Sequence, residues 1–392
     1  MDATTASLVH FDRIRPVVEE IARAIEHVAP HQKEPAGLAG GALFLAYLAQ
    51  ATGDSATEAA AARMLEQACQ GALKQSMLCT LYGGFLGVAW ARAHLSEAES
   101  DDGVEKVVER ALRAGWEGDY DLIRGLVGVG VYALERRANG STSDLLKLVV
   151  DRLAERAQRR QPGIAWLTEA RFLGEPGRDL HPEGRYDLGM AHGLPGAIAL
   201  LAGAHAAGIA QARPLLDHAV EFLLAQQLPA GSASRFPACV EMRQPCRAAW
   251  CYGDPGVAMA LLVAARAARE PAWEREAVEL ARLAARRPAT GNGVRDAGLC
   301  HGSAGLAHIF HRFWRATGDS CFRDAALAWL RATLAMRKEG VGVAGYRALD
   351  TNGWVDDPWF LTGATGIGLA LLASASDIEP AWDRLLLCSL AV

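Results

Sequence analysis

Two short motifs of the sequence place cysteine and histidine next to a glycine-rich helix start. WCYGDPG contains Cys251, and LCHGSAG contains Cys300 and His301. Two thiolates and one imidazole form a ligand set that zinc prefers. Three protein ligands leave a fourth position open, as in catalytic sites, whereas structural zinc takes four, with Cys246 as the nearest fourth candidate. The motifs therefore predict one zinc ion on Cys251, Cys300 and His301, and we prefer the catalytic interpretation.

Four further side chains in related motifs could exchange protons or stabilise charge. His192, in LGMAHGLPG, has the place that His301 has in its own motif, and histidine titrates near neutral pH. Asp121, in DYDLIRG, could act with His192 as acid or base, or could only cap a helix. Arg247 could stabilise an anionic intermediate or pair with a surface carboxylate, and Tyr252 could assist or only pack. We predict all four as catalytic residues, with the structural roles as alternatives.

These motifs belong to a unit, Gly-x-x-Gly followed by an apolar helical run, that occurs seven times. The first glycines of the copies are Gly37, Gly84, Gly125, Gly193, Gly253, Gly302 and Gly363. Each copy follows a segment with apolar residues at helical spacing on one side, typical of a surface helix. Helices that are apolar all round belong inside. The pattern therefore predicts an all-α protein, an α/α toroid of seven inner and seven outer helices, in a single domain over residues 1–392.

Two long linkers interrupt the repeat, at residues 163–190 and 228–249. Both contain aromatic residues, prolines, glycines and charges. Long loops on a rigid scaffold often carry function, so we predict ordered loops over the mouth of the ring, with a short hairpin. Surface padding is the alternative interpretation for most of their residues.

Composition excludes several other classes of function. The net charge is −5 and no run of lysine or arginine occurs, so a nucleic-acid partner is not expected. The N-terminal sequence MDATTASLVHFDRIRP lacks the pattern of a signal peptide. The longest apolar stretch, GLPGAIALLAGAHAAGIA, contains histidine, glycine and alanine and predicts a buried helix rather than a membrane span. We expect a cytoplasmic protein whose eight cysteines are reduced.

The motifs YDLIRGLVGVG, LGMAHGLPGAIALL, RAAWCYGDPG and LCHGSAG occur in this order. With them, nearly the whole chain resembles the lanthionine synthetase C-like family, the LanC-type lanthipeptide cyclases. The resemblance implies an α/α toroid with a single zinc ion. Carried over by motif, the family's zinc ligands fall on Cys251, Cys300 and His301. Its proposed acid/base residues fall on His192 and Asp121.

The resemblance also implies a reaction, for which Arg247 and Tyr252 would be accessory residues. A cyclase of the stand-alone class I type adds a peptide cysteine to a dehydroalanine or dehydrobutyrine and forms a (methyl)lanthionine thioether ring. The implied partners are a dehydrated precursor peptide, a separate dehydratase and a transporter in a biosynthetic complex.

Three alternative functions use the same residues differently. A LanC-like protein could add glutathione to dehydroamino acids of damaged proteins with the same zinc chemistry. A non-catalytic scaffold could use structural zinc to hold a synthetase complex together. Another α/α toroid, such as a glycosidase, would depend on paired carboxylates, for which Asp356 and Asp357 are available. That last reading leaves the two cysteines at equivalent positions unexplained.

Overall fold

The computed structural model describes most of the chain, and the described part is mainly helical. The described residues are 7–29, 34–96, 103–288 and 291–390. They form two compact units, Met1–Met77 with Ala285–Trp382, and Leu78–Ala284 with Asp383–Val392. The first six residues of the N-terminal stretch that we examined for a signal peptide lie outside the described residues. The single domain over residues 1–392 stays a prediction.

Fifteen α-helices occur within the described residues. They are α1 (Arg15–Val28), α2 (Pro35–Thr52), α3 (Ser55–Lys74), α4 (Phe85–Leu95), α5 (Gly103–Ala114), α6 (Leu126–Ala138), α7 (Leu145–Arg156), α8 (Glu175–Leu180), α9 (Leu194–Ala206), α10 (Ala212–Leu224), α11 (Asp254–Ala268), α12 (Pro271–Arg286), α13 (Ser303–Thr317), α14 (Ser320–Ala335) and α15 (Ala364–Ala375). Short 3₁₀ helices span Phe11–Arg13, Ala170–Phe172 and Ala381–Leu386.

Two short antiparallel hairpins accompany the helices. Strand β1 (Gln158–Arg159) pairs with β2 (Ile164–Ala165), and β3 (Ala348–Asp350) pairs with β4 (Gly353–Val355). The first hairpin extends into the linker at residues 163–190, where we expected one. The second hairpin follows α14 and was not predicted from the sequence.

The apolar and amphipathic helices alternate as the repeat predicts. Helix α1 buries Val18, Ile21, Ala22 and Ile25, which lie on one side of a helix, and exposes much of its other side. Helix α9 buries ten of its thirteen residues, because its sequence offers apolar or small side chains all round. Among the described residues, no helix has the length and apolar character needed to cross a membrane.

The tightest helix pairs join an apolar helix to the amphipathic helix that follows it, as in α2–α3 and α13–α14. The reason is a two-residue connection with glycine in the left-handed conformation. Gly53 has φ 69° and Gly318 has φ 71°, and their amides donate to Ala49 O and Trp314 O. Such a cap ends one helix and reverses the chain at once. The sequence had grouped each apolar helix with the amphipathic helix before it.

The second glycine of the repeat lets a loop cross the first turn of the apolar helix. A Cβ added at Gly305 would lie 1.9 Å from the carbonyl oxygen of Leu299, and one at Gly256 would lie 2.1 Å from that of Trp250. Both distances are much shorter than any real contact between a Cβ atom and an oxygen atom, so only glycine fits at these two positions. The glycines therefore fix the loops that contain Cys300 and Cys251.

We expect Gly305→Ala to lower the free energy of unfolding by about 1–3 kcal/mol, because the loop must move away from the helix. Urea unfolding followed by circular dichroism measures the change. Gly174→Ala is the control, since Gly174 has φ −63° and a Cβ there would meet open space. Its effect should stay within about 0.5 kcal/mol. Equal stability of the two variants would contradict the close-approach argument.

Candidate metal centre

Short loops precede the apolar helices, and neighbouring loops hydrogen-bond to one another through their main chains. The residue involved lies two positions before the first glycine of its copy of the repeat. In the Leu78–Ala284 unit, the amide of Ala191 donates to the carbonyl of Cys251 at 3.3 Å. In the other unit, the amide of Cys300 donates to the carbonyl of Leu361 at 2.8 Å. The backbone of this residue is thus held by a neighbouring loop. Its side chain, and that of the next residue, are presented from a fixed position.

His301 is held by its own loop and by the second hairpin. Its Nε2 lies 3.2 Å from Oδ2 of Asp296 and 3.3 Å from the carbonyl oxygen of Leu349. Asp296 is buried and also accepts hydrogen bonds from the amides of Gly298 and Leu349. Burial alone would raise the pKa of Asp296, but His301 and the two amides outweigh it and lower that pKa. The carboxylate is therefore ionised where it meets the imidazole.

Cys251 is buried and lies in a loop that only glycine can close. Gly253 has φ 119°, and a Cβ there would lie 2.0 Å from the carbonyl oxygen of Arg247. Nη2 of Arg247 lies 3.6 Å from Sγ of Cys251. The predicted Arg247 thus places a positive charge beside the predicted thiolate. Trp250, in the same loop, packs in the core and donates from Nε1 to the carbonyl of Leu386 at 2.9 Å.

His192 and Asp121 form a direct pair. Nδ1 of His192 lies 2.6 Å from Oδ2 of Asp121, which is 1% exposed. The other carboxylate oxygen accepts the amide of Arg124 at 2.7 Å. Asp121 therefore accepts an amide of its own loop and contacts His192, but it does not cap helix α6, whose N-cap residue is Gly125. Because a carboxylate only accepts here, Nδ1 carries the proton and Nε2 is the nitrogen that Asp121 does not engage.

The pair changes the acidity of the imidazole. Burial would lower the pKa of His192, but the hydrogen bond and the negative charge of Asp121 raise it, and the net shift is upward from 6.5. Nearby Asp119 is a carboxyl that sequence reasoning missed. Burial and repulsion by Asp121 raise the pKa of Asp119 to about 7. The vicinity of His192 therefore holds a carboxyl group that titrates near neutral pH.

Tyr252 belongs to a second hydrogen-bonded group that the sequence did not reveal. Its hydroxyl donates to Oδ1 of Asp187 at 2.9 Å and accepts from Nη2 of Arg185 at 3.2 Å. Arg185 and Asp187 also form an ion pair at 3.0 Å. Burial and the charge of Asp187 raise the pKa of Tyr252 well above 10. The ring of Tyr252 stacks near that of His192, with centroids 6.0 Å apart.

Three of the predicted residues offer ligand atoms for one metal ion. The ligand atoms of Cys251, Cys300 and His301 all lie within 4.8 Å of one another, and Cys246 is not part of this group. Zinc binds sulfur at about 2.3 Å and imidazole nitrogen at about 2.0–2.1 Å, so one ion can reach three atoms at this spacing. Two thiols and one imidazole also have the right chemistry for zinc. The residues therefore fit the metal that the sequence predicts.

The sequence model of the family described as lanthionine synthetase C-like protein matches residues 35–387. This match includes helices α2 to α15 and all the candidate site residues above, whereas α1 lies before it. The chain belongs to the lanthionine synthetase C-like family. Cys251, Cys300 and His301 thus form a candidate metal centre within a LanC-like chain.

A curated relative and a solved structure illustrate what this LanC-like chain is similar to. Nisin biosynthesis protein NisC of Lactococcus lactis subsp. lactis is 25% identical over 273 residues, which cover 62% of this chain and 64% of that protein. The chain thus matches less than two thirds of this curated relative. A structure of nisin cyclase has a TM-score of 0.75 and 21% identity, over 96% of this chain and 98% of that chain. This likeness confirms the predicted fold, an α/α toroid.

The residues that sequence reasoning missed share a place in the LanC-like repeat. Aspartate occurs six residues before the first glycine in four of the seven copies, and these aspartates include Asp119, Asp187 and Asp296. Their main-chain carbonyls accept the first amide of the following helix, as Asp296 does from Ser303 at 3.0 Å. The recurrence was visible in the sequence. The distant partners of Asp187 and Asp296 were not, because Tyr252 and Leu349 come from other loops.

Proposed function

We propose that this LanC-like protein is a zinc-dependent lanthipeptide cyclase. It joins a cysteine of a dehydrated precursor peptide to a dehydroalanine or dehydrobutyrine of the same peptide. The grouping of Cys251, Cys300 and His301 carries the proposal, because it offers zinc three ligands and leaves a fourth position for a substrate thiol. The names of the two relatives, a nisin biosynthesis protein and a nisin cyclase, support the same reaction class.

The reaction is an addition that needs no co-reactant. The sulfur of the peptide cysteine forms a bond to the β-carbon, and the carbon–carbon π bond breaks. One proton leaves the thiol and one proton reaches the α-carbon, so atoms and charge balance. A bound zinc ion would favour the thiolate form of the substrate cysteine, whose ordinary pKa is about 8.5.

His192 exchanges the proton with the substrate, and Asp121 positions it. The sequence left the assignment between these two residues open. Asp121 is 1% exposed and directs both carboxylate oxygens to protein groups, whereas the side chain of His192 is 34% exposed. With Nδ1 bonded to Asp121, Nε2 takes the thiol proton or gives a proton to the α-carbon. The hydrogen bond from Nδ1 to Asp121 then stabilises the imidazolium that forms.

Arg247 stabilises negative charge at the same place. Arg247 is an exposed residue, and its guanidinium reaches to 3.6 Å from Sγ of Cys251. Attack of sulfur on the β-carbon places negative charge on the carbonyl oxygen of the dehydro residue. A cation beside the sulfur ligand is well placed to stabilise that charge.

The test uses the purified protein loaded with zinc and a dehydrated, uncyclised precursor peptide. Free peptide thiols are counted by alkylation and mass spectrometry over time. We expect thiols to disappear faster than in buffer alone, with ring positions resolved by fragmentation. Thiols that persist at the uncatalysed rate, while zinc is bound, would contradict the proposal. Adding glutathione to the same assay distinguishes the alternative, since glutathione adducts without rings would indicate that chemistry.

Tyr252→Phe should have a smaller effect than loss of His192. The substitution removes the hydroxyl between Asp187 and Arg185, but those two residues keep their own ion pair. We expect kcat/KM to fall by about tenfold or less, equivalent to about 1.4 kcal/mol. Cyclisation kinetics with the same peptide measure it. A loss of several hundredfold would show instead that the hydroxyl takes part directly in the reaction.

The proposed cyclase function also implies partners and a cellular location for the protein. The substrate is a dehydrated precursor peptide, made by a separate dehydratase, and a transporter would export the product. The protein acts in the cytoplasm as a single domain over residues 1–392. Copurification of a tagged chain with the dehydratase and transporter of the same biosynthetic gene cluster tests the complex.

A further inference from the structure

Aspartate side chains hold the residue immediately before the first glycine in four copies of the repeat. The four pairs are His192 with Asp121, Tyr252 with Asp187, His301 with Asp296, and Thr362 with Asp357. Three of these partners belong to the candidate site and one does not. The pair at His301 involves a proposed metal ligand and is therefore expected to affect metal binding.

One ring nitrogen of His301 is already committed to protein acceptors. Nε2 lies 3.2 Å from Oδ2 of Asp296 and 3.3 Å from the carbonyl oxygen of Leu349. A carboxylate and a main-chain carbonyl both accept hydrogen bonds, so Nε2 must carry the proton. The lone pair of the ring is then on Nδ1.

Asp296 cannot easily turn away from this contact. It is 2% exposed, its Oδ1 accepts the amide of Gly298 at 3.2 Å, and its Oδ2 accepts the amide of Leu349 at 3.1 Å. A Cβ added at Gly302 would lie 2.4 Å from Oδ1. The carboxylate is thus fixed from two sides, by its own loop and by strand β3.

We infer that Asp296 is a positioning residue that fixes the ring and the protonation of His301, so that Nδ1 is the nitrogen offered to the metal. The inference rests on the proposed zinc site. A carboxylate on the far nitrogen of a ligating imidazole raises its basicity, and removal of such a partner typically costs 10–100-fold in metal affinity. We expect a loss of about this size when the carboxylate is neutralised.

Asp357 provides a matched control in the same unit of the fold. It lies six residues before the first glycine of its copy, as Asp296 does. Its Oδ1 accepts the amide of Trp359 at 2.7 Å, and its Oδ2 accepts the hydroxyl of Thr362. Asp357→Asn therefore removes a half-buried charge and an equivalent loop contact, but beside a residue that is not a proposed metal ligand.

The experiment compares the full chain with Asp296→Asn and Asp357→Asn. Zinc affinity is measured by competition with a chromophoric chelator, and unfolding by urea. We expect Asp296→Asn to bind zinc about 10–100-fold more weakly, and Asp357→Asn to bind within about threefold of the unchanged chain while losing some stability. Equal zinc affinity of all three proteins would overturn the inference. Asp296→Glu, which restores a carboxylate, should recover part of the affinity.

A second measurement needs no variant at Asp296. In the zinc-loaded protein with nitrogen-15-labelled histidines, the signal of His301 is identified by its loss in His301→Gln. We expect its proton on Nε2 and the metal on Nδ1, and the reverse pattern would overturn the inference. Zinc binding without cyclisation would contradict only the proposed function. A chain that takes up no zinc would contradict both.

Discussion

Replacing Cys300 with alanine should reduce the zinc content of the purified protein from one ion per chain to close to zero. The three proposed ligand atoms lie within 4.8 Å of one another, and loss of one leaves two, fewer than zinc holds in protein sites. Cyclisation should fall to the rate in buffer, because the substrate thiol would no longer be favoured as thiolate at neutral pH. Cys251→Ala and His301→Ala should do the same. Atomic emission and the alkylation assay measure the two effects.

Cys321→Ala is the control for these substitutions. Cys300 and Cys321 are both half-buried, but Cys321 lies at the start of helix α14 and is not part of the metal-ligand group. Its removal should leave zinc content and cyclisation unchanged. Normal zinc content in all three ligand variants would remove the metal centre from the proposal. The assignment of the helical fold would not be affected, because it depends on the likeness to nisin cyclase and not on the metal.

The sequence predicts the parts of the site that depend on local geometry. The first glycine of six copies is the residue before an apolar helix, so Cys251, Cys300 and His301 could be placed at helix starts from their spacing alone. Each belongs to a short loop whose path follows from two glycines. The choice of residue types then indicated zinc. The structure groups the same three residues so that they could hold a metal ion, and their role as zinc ligands stays a prediction.

The partners of these residues could not be read from the sequence in the same way. Arg185 is 67 residues from Tyr252 in the chain, and Asp296 is 53 residues from Leu349. Contacts between residues so far apart in the chain depend on which loops are neighbours in the fold. The spacing of apolar residues along each helix does not predict this. The second hairpin is different, because it has a signal that we missed. Asn352 and Gly353 form a dipeptide typical of strand reversal, with Gly353 at φ 120°.

Replacing His192 with alanine should separate catalysis from metal binding. His192 is not one of the proposed ligands, so zinc content should stay at one ion per chain. Loss of a positioned acid or base typically costs 10²–10⁴ in rate, and we expect kcat to fall by about that factor. Asp121→Asn should cost less, because it leaves the imidazole but removes the charge that orients it. Full activity of His192→Ala with an intact fold would instead favour a scaffold with structural zinc.

The pH dependence of the His192–Asp121 pair gives a second measure with a definite sign. The pKa of His192 is raised above 6.5 in the folded protein, so the folded state binds the proton more tightly than the unfolded chain does. The pair therefore contributes stability that is fully present below pH 6.5 and is lost as the pH rises through the raised pKa. Urea unfolding of the unchanged chain and of His192→Asn should differ most on the acidic side of neutral, where the imidazole is charged. A difference that grew with rising pH would contradict the raised pKa of His192 in the folded protein.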